Sequence, residues 1–145
     1  MKLKRILLAE DNENDIELTL TALAEHHLAN EVVVVRDGAE AWDYLCRSGS
    51  NPAVVLLDLK MPKMDGLELL QRMRRDPRFH ATPVVMLTSS REESDVARSY
   101  RLGVNAFVVK PVAFEDFIAA VRNLGLFWAV LNEPPPDGLG APQPV

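Results

Sequence analysis

The sequence predicts a doubly wound α/β fold, with one five-stranded parallel sheet and helices on both of its faces. Three observations carry that expectation. Short apolar runs alternate with longer amphipathic stretches five times along the 145 residues, the order that βαβ units produce. Several of the runs are apolar at every position (6–9, 54–57, 84–87 and 107–109), as strands covered on both faces must be. Those four runs also end alike, on polar groups: Glu10 and Asp11, Asp58, Thr88 and Ser89, then Lys110 before Pro111. In a parallel sheet all strand ends share one edge, so these groups gather where open α/β sheets bind ligands.

The elements follow in order. Strands are expected near 4–9, 31–35, 53–57, 83–87 and 105–109. Helix starts are marked by a polar cap with an acid three residues later, at Asp37 with Glu40, Asp65 with Glu68 and Ser90 with Glu93, the pattern that satisfies the first free N–H groups of a helix. Stops are equally marked. Gly49 follows the second helix, Pro77 limits the third, and Gly103 fits a left-handed end to the fourth. The fifth helix is expected to begin near Val112, with Phe114, Phe117, Ile118, Val121 and Leu124 as its apolar stripe, and to run on through Gly125 to Phe127, Trp128 and Leu131. Residues 134–145 hold five of the ten prolines and read as an extended or disordered tail. The chain thus divides into a domain over 1–124, a helix extension over 125–133 and a proline-rich tail over 134–145.

Composition narrows the function. Lys and Arg number 16 against 21 Asp and Glu, a formal net charge of -5, which argues against a protein whose affinity rests on neutralising phosphate backbones. About 20 residues beyond the domain are also too few for a helix-turn-helix module, so no nucleic-acid partner is expected. A single cysteine, Cys46, excludes an intrachain disulfide and a multi-cysteine zinc site; it is expected to pack as a small apolar residue. The first apolar run is cut after four residues by Glu10 and Asp11, unlike a signal peptide, and no stretch reaches membrane-spanning length. The expectation is a cytoplasmic protein without a membrane partner. His26, His27 and His80 read as solvated surface, and the arginines at 72, 74, 75 and 78 as complements to the third helix's carboxyl end.

Three carboxylates converging on one edge repel one another and must protonate or acquire a cation. With oxygen ligands alone and no His or Cys in the pattern, the hard cation Mg²⁺ fits best, and it characteristically bridges carboxylates to phosphate oxygens. Lys110 would then neutralise one phosphate oxygen and the Thr88 hydroxyl would donate to another. Asp58 becomes the nucleophile, since a carboxylate can form an aspartyl phosphate when a metal and an in-line donor are supplied.

The segments LLAEDN (7–12), VLLDLKMPKMDG (55–66), PVVMLTS (83–89) and GVNAFVVKP (103–111) resemble the response-regulator receiver domain of two-component signalling, over roughly residues 3–124. The resemblance implies a flavodoxin-like sheet of order 2-1-3-4-5. It makes Asp58 the phosphoacceptor, and it assigns Glu10, Asp11, Asp58 and the Lys60 backbone carbonyl to a Mg²⁺ pocket. Thr88 and Lys110 become the phosphate-binding pair, Phe107 the switch aromatic, and Pro111 a residue after a cis peptide. A sensor histidine kinase would be the phosphoryl donor, and the signal would alter a surface made by the fourth helix, fifth strand and fifth helix. Further segments, VRDGAEA (35–41), RSYRLG (98–103) and the terminal pair Phe127 and Trp128, resemble the single-domain regulators of phytochrome-type kinases. That subgroup implies a homodimer through Phe127 and Trp128.

Two other classes are open to the same residues. An aspartate-nucleophile phosphohydrolase usually carries a second acid two residues after its nucleophile, where this chain has Lys60. A receiver-like interaction module that takes no phosphate usually lacks the acceptor, an acid or the lysine, and all of them are present here.

Overall fold

The computed structural model describes residues 5–24, 30–49, 51–88, 98, 100–110 and 112–123. Five strands, β1 (Ile6–Ala9), β2 (Val32–Val35), β3 (Val54–Asp58), β4 (Val84–Thr88) and β5 (Ala106–Val109), form one sheet in the order β2-β1-β3-β4-β5. Every neighbouring pair is parallel. Between them run α1 (Glu13–Ala24), α2 (Gly38–Arg47) and α3 (Gly66–Arg75), and a last helix spans Phe114–Asn123.

Strand alternation sorts the core into two layers, because successive side chains point to opposite faces. Leu7, Ala9, Val55, Leu57, Val84 and Met86 join Ala41 and Leu45 of α2 with Leu69, Leu70 and Met73 of α3. Ile6, Leu8, Val54, Leu56, Val85, Leu87 and Val108 join Ile16 and Leu23 of α1 with Phe117 and Ile118 of the last helix. Helices on both faces leave β1, β3 and β4 buried along their whole length, which is why their sequences are apolar at every position before the last residues of β3 and β4.

Asp58 and Thr88 are the final residues of β3 and β4 rather than the first residues beyond them. The ladder ignores side-chain polarity: the Leu59 N–H donates to the Leu87 carbonyl at 3.1 Å and the Lys110 N–H to the Thr88 carbonyl at 2.9 Å. Strand pairing therefore holds the backbone of the polar residues as firmly as that of the core.

Caps fall where the sequence puts them. Asp37 accepts from the Glu40 N–H at 2.7 Å and Asp65 from the Glu68 N–H at 2.9 Å. Gly49 and Gly103 take the positive φ values of +72° and +96° that favour glycine. α1 starts on Asn12, whose side chain accepts from the Asp15 N–H at 2.9 Å; this cap too has an acid at the third position, although the sequence reading did not single it out. The last helix starts at Phe114, two residues after the expected Val112.

The loop from β3 to α3 folds back under the sheet edge. The Gly66 N–H donates to the Leu59 carbonyl at 2.9 Å, and a Cβ on Gly66 would lie 2.3 Å from the Asp58 carbonyl oxygen. Only glycine permits that approach. Within the loop Lys63 sits at φ +66° while the Met64 N–H closes onto the Pro62 carbonyl at 2.7 Å. The Lys63 ammonium lies 3.5 Å from Asp37, linking the loop to the start of α2.

One expectation is corrected. Cys46 is exposed rather than packed, because the buried stripe of α2 is Gly38, Ala41 and Leu45 and the next residue turns about 100° away from it. Arg72, Arg74 and Arg75 stand in the last turn of α3, as the sequence reading has them, and the cluster has further partners. Arg74 is half-buried and donates to the carbonyls of Gly103 (2.9 Å), Phe79 (3.1 Å) and Thr82 (2.8 Å) and to Asn105 Oδ1 (3.0 Å), tying the end of α3 to the starts of β4 and β5. Burial lowers its pKa. Arg72 lies over the Trp42 ring, and Arg78 pairs with Asp76 at 2.8 Å. His80 is exposed, as expected.

The expectations for His26, His27, Ser90, Pro111, Phe127, Trp128, the helix extension and the tail lie outside the described residues. Among the described residues no helix is long and apolar enough to cross a membrane.

Candidate functional site

The carboxyl edge of the sheet brings together most of the residues singled out in the sequence. Ala9 is in register with Leu57, Asp58 with Leu87, and Thr88 with Val109, so one step further the register sets Glu10 beside Asp58. Glu10, Asp11, Asp58, Lys60, Thr88 and Lys110 all line one cavity of about 220 Å³, together with Asn12, Asp15 and Leu59. Phe107 does not line it; this half-buried ring packs on the α2 and α3 side of the sheet, tilted against Tyr100 at 5.5 Å between centroids.

The acids differ in exposure. Glu10 is fully buried and Asp58 only 6% exposed, whereas Asp11 and Lys60 are exposed. Carboxylate oxygens of Glu10, Asp11 and Asp58 lie within 4.8 Å of one another. Lys110 answers this concentration of charge. Its ammonium stands 2.6 Å from Glu10 Oε1, 3.0 Å from Asp58 Oδ1 and 3.0 Å from Asp15 Oδ2.

Burial pushes the Glu10 carboxyl up to about 7, and the neighbouring Asp58 adds to the rise, while Lys110 pulls the other way. Burial also opposes the charge on Lys110, but its carboxylate partners Glu10, Asp58 and Asp15 outweigh that and raise its pKa. Glu10 Oε1 is buried and faces the Lys110 ammonium at 2.6 Å, an ammonium it shares with Asp58 and Asp15. Glu10 Oε2 accepts from the Asn12 N–H at 3.2 Å. Three carboxylates within 4.8 Å of one another carry more negative charge than one shared ammonium balances, which is what an oxygen-liganded divalent ion would satisfy, and the all-oxygen donor set fits such an ion.

Thr88 is buried, 3% exposed, at the end of β4. It shares the odd-even parity of Met86, and so faces the α2 and α3 layer, on the same side as Phe107.

Asp15 is the site residue that sequence reasoning missed. It lies on the first turn of α1, 95 residues from Lys110 in the chain, and its side chain bonds the ammonium. Its signal in the sequence is slight, since an acid in a first helical turn is ordinarily explained by the helix dipole.

The fold and this edge define the class: an α/β domain of order 2-1-3-4-5 with its ligand site at the carboxyl ends of the strands. Residues 6–122 match the family model of the response regulator receiver domain, and the chain belongs to that family. It is accordingly a signalling protein, and receiver domains bind divalent metal and take phosphoryl groups from histidine kinases.

The chain is similar to phytochrome response regulators. A solved structure of the bacteriophytochrome response regulator AtBRR is 61% identical, covers 92% of this chain and 100% of its own, and superposes with a TM-score of 0.82. The phosphorylated cyanobacterial phytochrome response regulator RcpA is 40% identical over 87% of this chain and 94% of its own, with a TM-score of 0.72. Response regulator Rcp1 of Synechocystis sp. is 36% identical over 86% of this chain and 88% of its own length. A Mn(2+)-bound form of response regulator Rcp1 has been solved, at 32% identity, 97% and 99% coverage and a TM-score of 0.71.

The burial of Glu10 makes a signed prediction. Its folded pKa of about 7 exceeds the ordinary 4.5, so the folded protein holds an extra proton between those values, and the contribution of Glu10 to metal-free stability falls as pH rises through that window. Carboxyl ¹³C NMR of metal-free protein should show Glu10 titrating with a midpoint of about 7, displaced downward by a divalent ion. A midpoint at the ordinary value would contradict the burial argument.

Proposed function

We propose that this chain is a cytoplasmic response regulator that accepts a phosphoryl group on Asp58 from a phytochrome-type histidine kinase, in a reaction that requires Mg²⁺. The observation that carries the reading is the placement of Asp58 at the end of β3, 3.0 Å from the Lys110 ammonium and within 4.8 Å of two further acids. Similarity to phytochrome response regulators supports the choice of kinase.

In this reading an Asp58 oxygen attacks the phosphorus of the kinase's phosphohistidine. The new O–P bond forms as the N–P bond breaks, and that electron pair returns to the imidazole, which takes up a proton. Glu10, Asp11, Asp58 and the Lys60 carbonyl would hold the Mg²⁺, which would supply positive charge where the transferring group gathers negative charge. Lys110 meets one phosphoryl oxygen as a point charge and the Thr88 hydroxyl donates to another. Because Thr88 and Phe107 share one face of the sheet, movement of the hydroxyl toward the phosphate changes the space available to the Phe107 ring. Phe107 has no hydroxyl, so it reports this as packing alone, against Tyr100 and the surface around the fourth helix, β5 and the last helix. The segment 125–133, with Phe127 and Trp128, supplies a homodimer contact.

Incubated with a phosphorylated phytochrome-type kinase and Mg²⁺, the protein should gain one phosphate by intact mass, and Asp58→Asn should gain none. Equal labelling of the variant would remove the assignment; equally fast transfer from an unrelated sensor kinase would remove the pairing alone. Light scattering should report a dimer that dissociates in Phe127→Ala/Trp128→Ala, whereas an unchanged mass would exclude that contact.

A further inference from the structure

Lys110 is shared among Glu10, Asp58 and Asp15, and the three are not equivalent. Glu10 and Asp58 belong to the cluster able to hold a metal ion; Asp15 does not. A divalent ion on that cluster would engage the carboxylates of Glu10 and Asp58 and repel the ammonium beside them. Lys110 is only 12% exposed, and a cation so placed needs a carboxylate partner. Asp15 is the partner that remains.

The anchoring of Asp15 suits that task. Its backbone N–H is held by Asn12 Oδ1 at 2.9 Å, which fixes it on the first turn of α1. Its carboxylate is 29% exposed and 3.0 Å from the ammonium, with hydrogen-bonding geometry. The other two contacts draw Lys110 onto two of the acids a metal would use; this one draws it aside while keeping it on the cavity wall.

We propose that Asp15 is a positioning residue for Lys110: it holds the ammonium off Glu10 and Asp58 when those acids take a divalent ion, and keeps it within reach of the phosphoryl oxygen. The inference rests on the phosphoacceptor reading above. Without the Asp15 charge, Lys110 stays on Glu10 and Asp58 and competes with the metal. Asp15→Asn preserves size, and the helix cap uses the backbone of Asp15 rather than its side chain.

The test is a double-mutant cycle read by calorimetric titration with MgCl₂ and no phosphoryl donor, on the full chain as wild type, Asp15→Asn, Lys110→Met and the double variant. Mg²⁺ affinity should fall about fivefold on Asp15→Asn while Lys110 is present, the scale of a partly exposed ion pair, and should not change once Lys110 is Met. A role limited to structure or to general negative charge would weaken binding equally in both backgrounds, and that result, or an unaltered affinity in Asp15→Asn, would overturn the proposal. Failure of the phosphoacceptor reading is separable, since it shows as absent labelling of the wild type with kinase while the Mg²⁺ cycle is unaffected.

Discussion

Like charges forced together at the carboxyl edge of the sheet are the constraint on which the rest of this structure depends. Glu10, Asp11 and Asp58 offer oxygens within 4.8 Å of one another, and one of these acids is fully buried. Such a cluster does not persist without positive charge. Lys110 provides part of it, and the remainder falls to protonation of Glu10, whose pKa rises to about 7, or to a divalent ion. The cluster therefore carries more negative charge than Lys110 balances, and a divalent ion would offset the excess.

The sheet makes this possible because it is rigid where the charges are. Asp58 and Thr88 are last rungs of ladders whose other members are buried core, so neither backbone can relax away from the cluster. Close packing of Gly66 against the Asp58 carbonyl holds the next loop in place beneath it. Two layers then divide the work. Glu10, Asp58 and Lys110 follow the parity of the α1 and last-helix face, while Thr88 and Phe107 follow that of the α2 and α3 face.

Much of this was legible in the sequence, for reasons that differ by element. Strands covered on both faces leave uninterrupted apolar runs, and their polar ends named Glu10, Asp11, Asp58, Thr88 and Lys110 without any spatial information. Asp37 and Asp65 were readable because capping is local. Asp15 was not, since its meaning lies in Lys110, 95 residues away, and a first-turn acid needs no partner to be explained. The further partners of Arg74 were hidden for the same reason: its four acceptors belong to segments beyond its own helix. Cys46 shows the opposite failure, in which residue type outweighed helical phase.

Comparison with other aspartate chemistry turns on the second residue after Asp58. An acid there would serve a phosphohydrolase, and exposed Lys60 on the cavity wall offers none. The most direct measurement is borohydride reduction of the phosphorylated protein followed by peptide sequencing, which converts an aspartyl phosphate to homoserine at its own position. The account predicts homoserine at position 58 alone; phosphate retained on another residue, or reduction at a different acid, would contradict it.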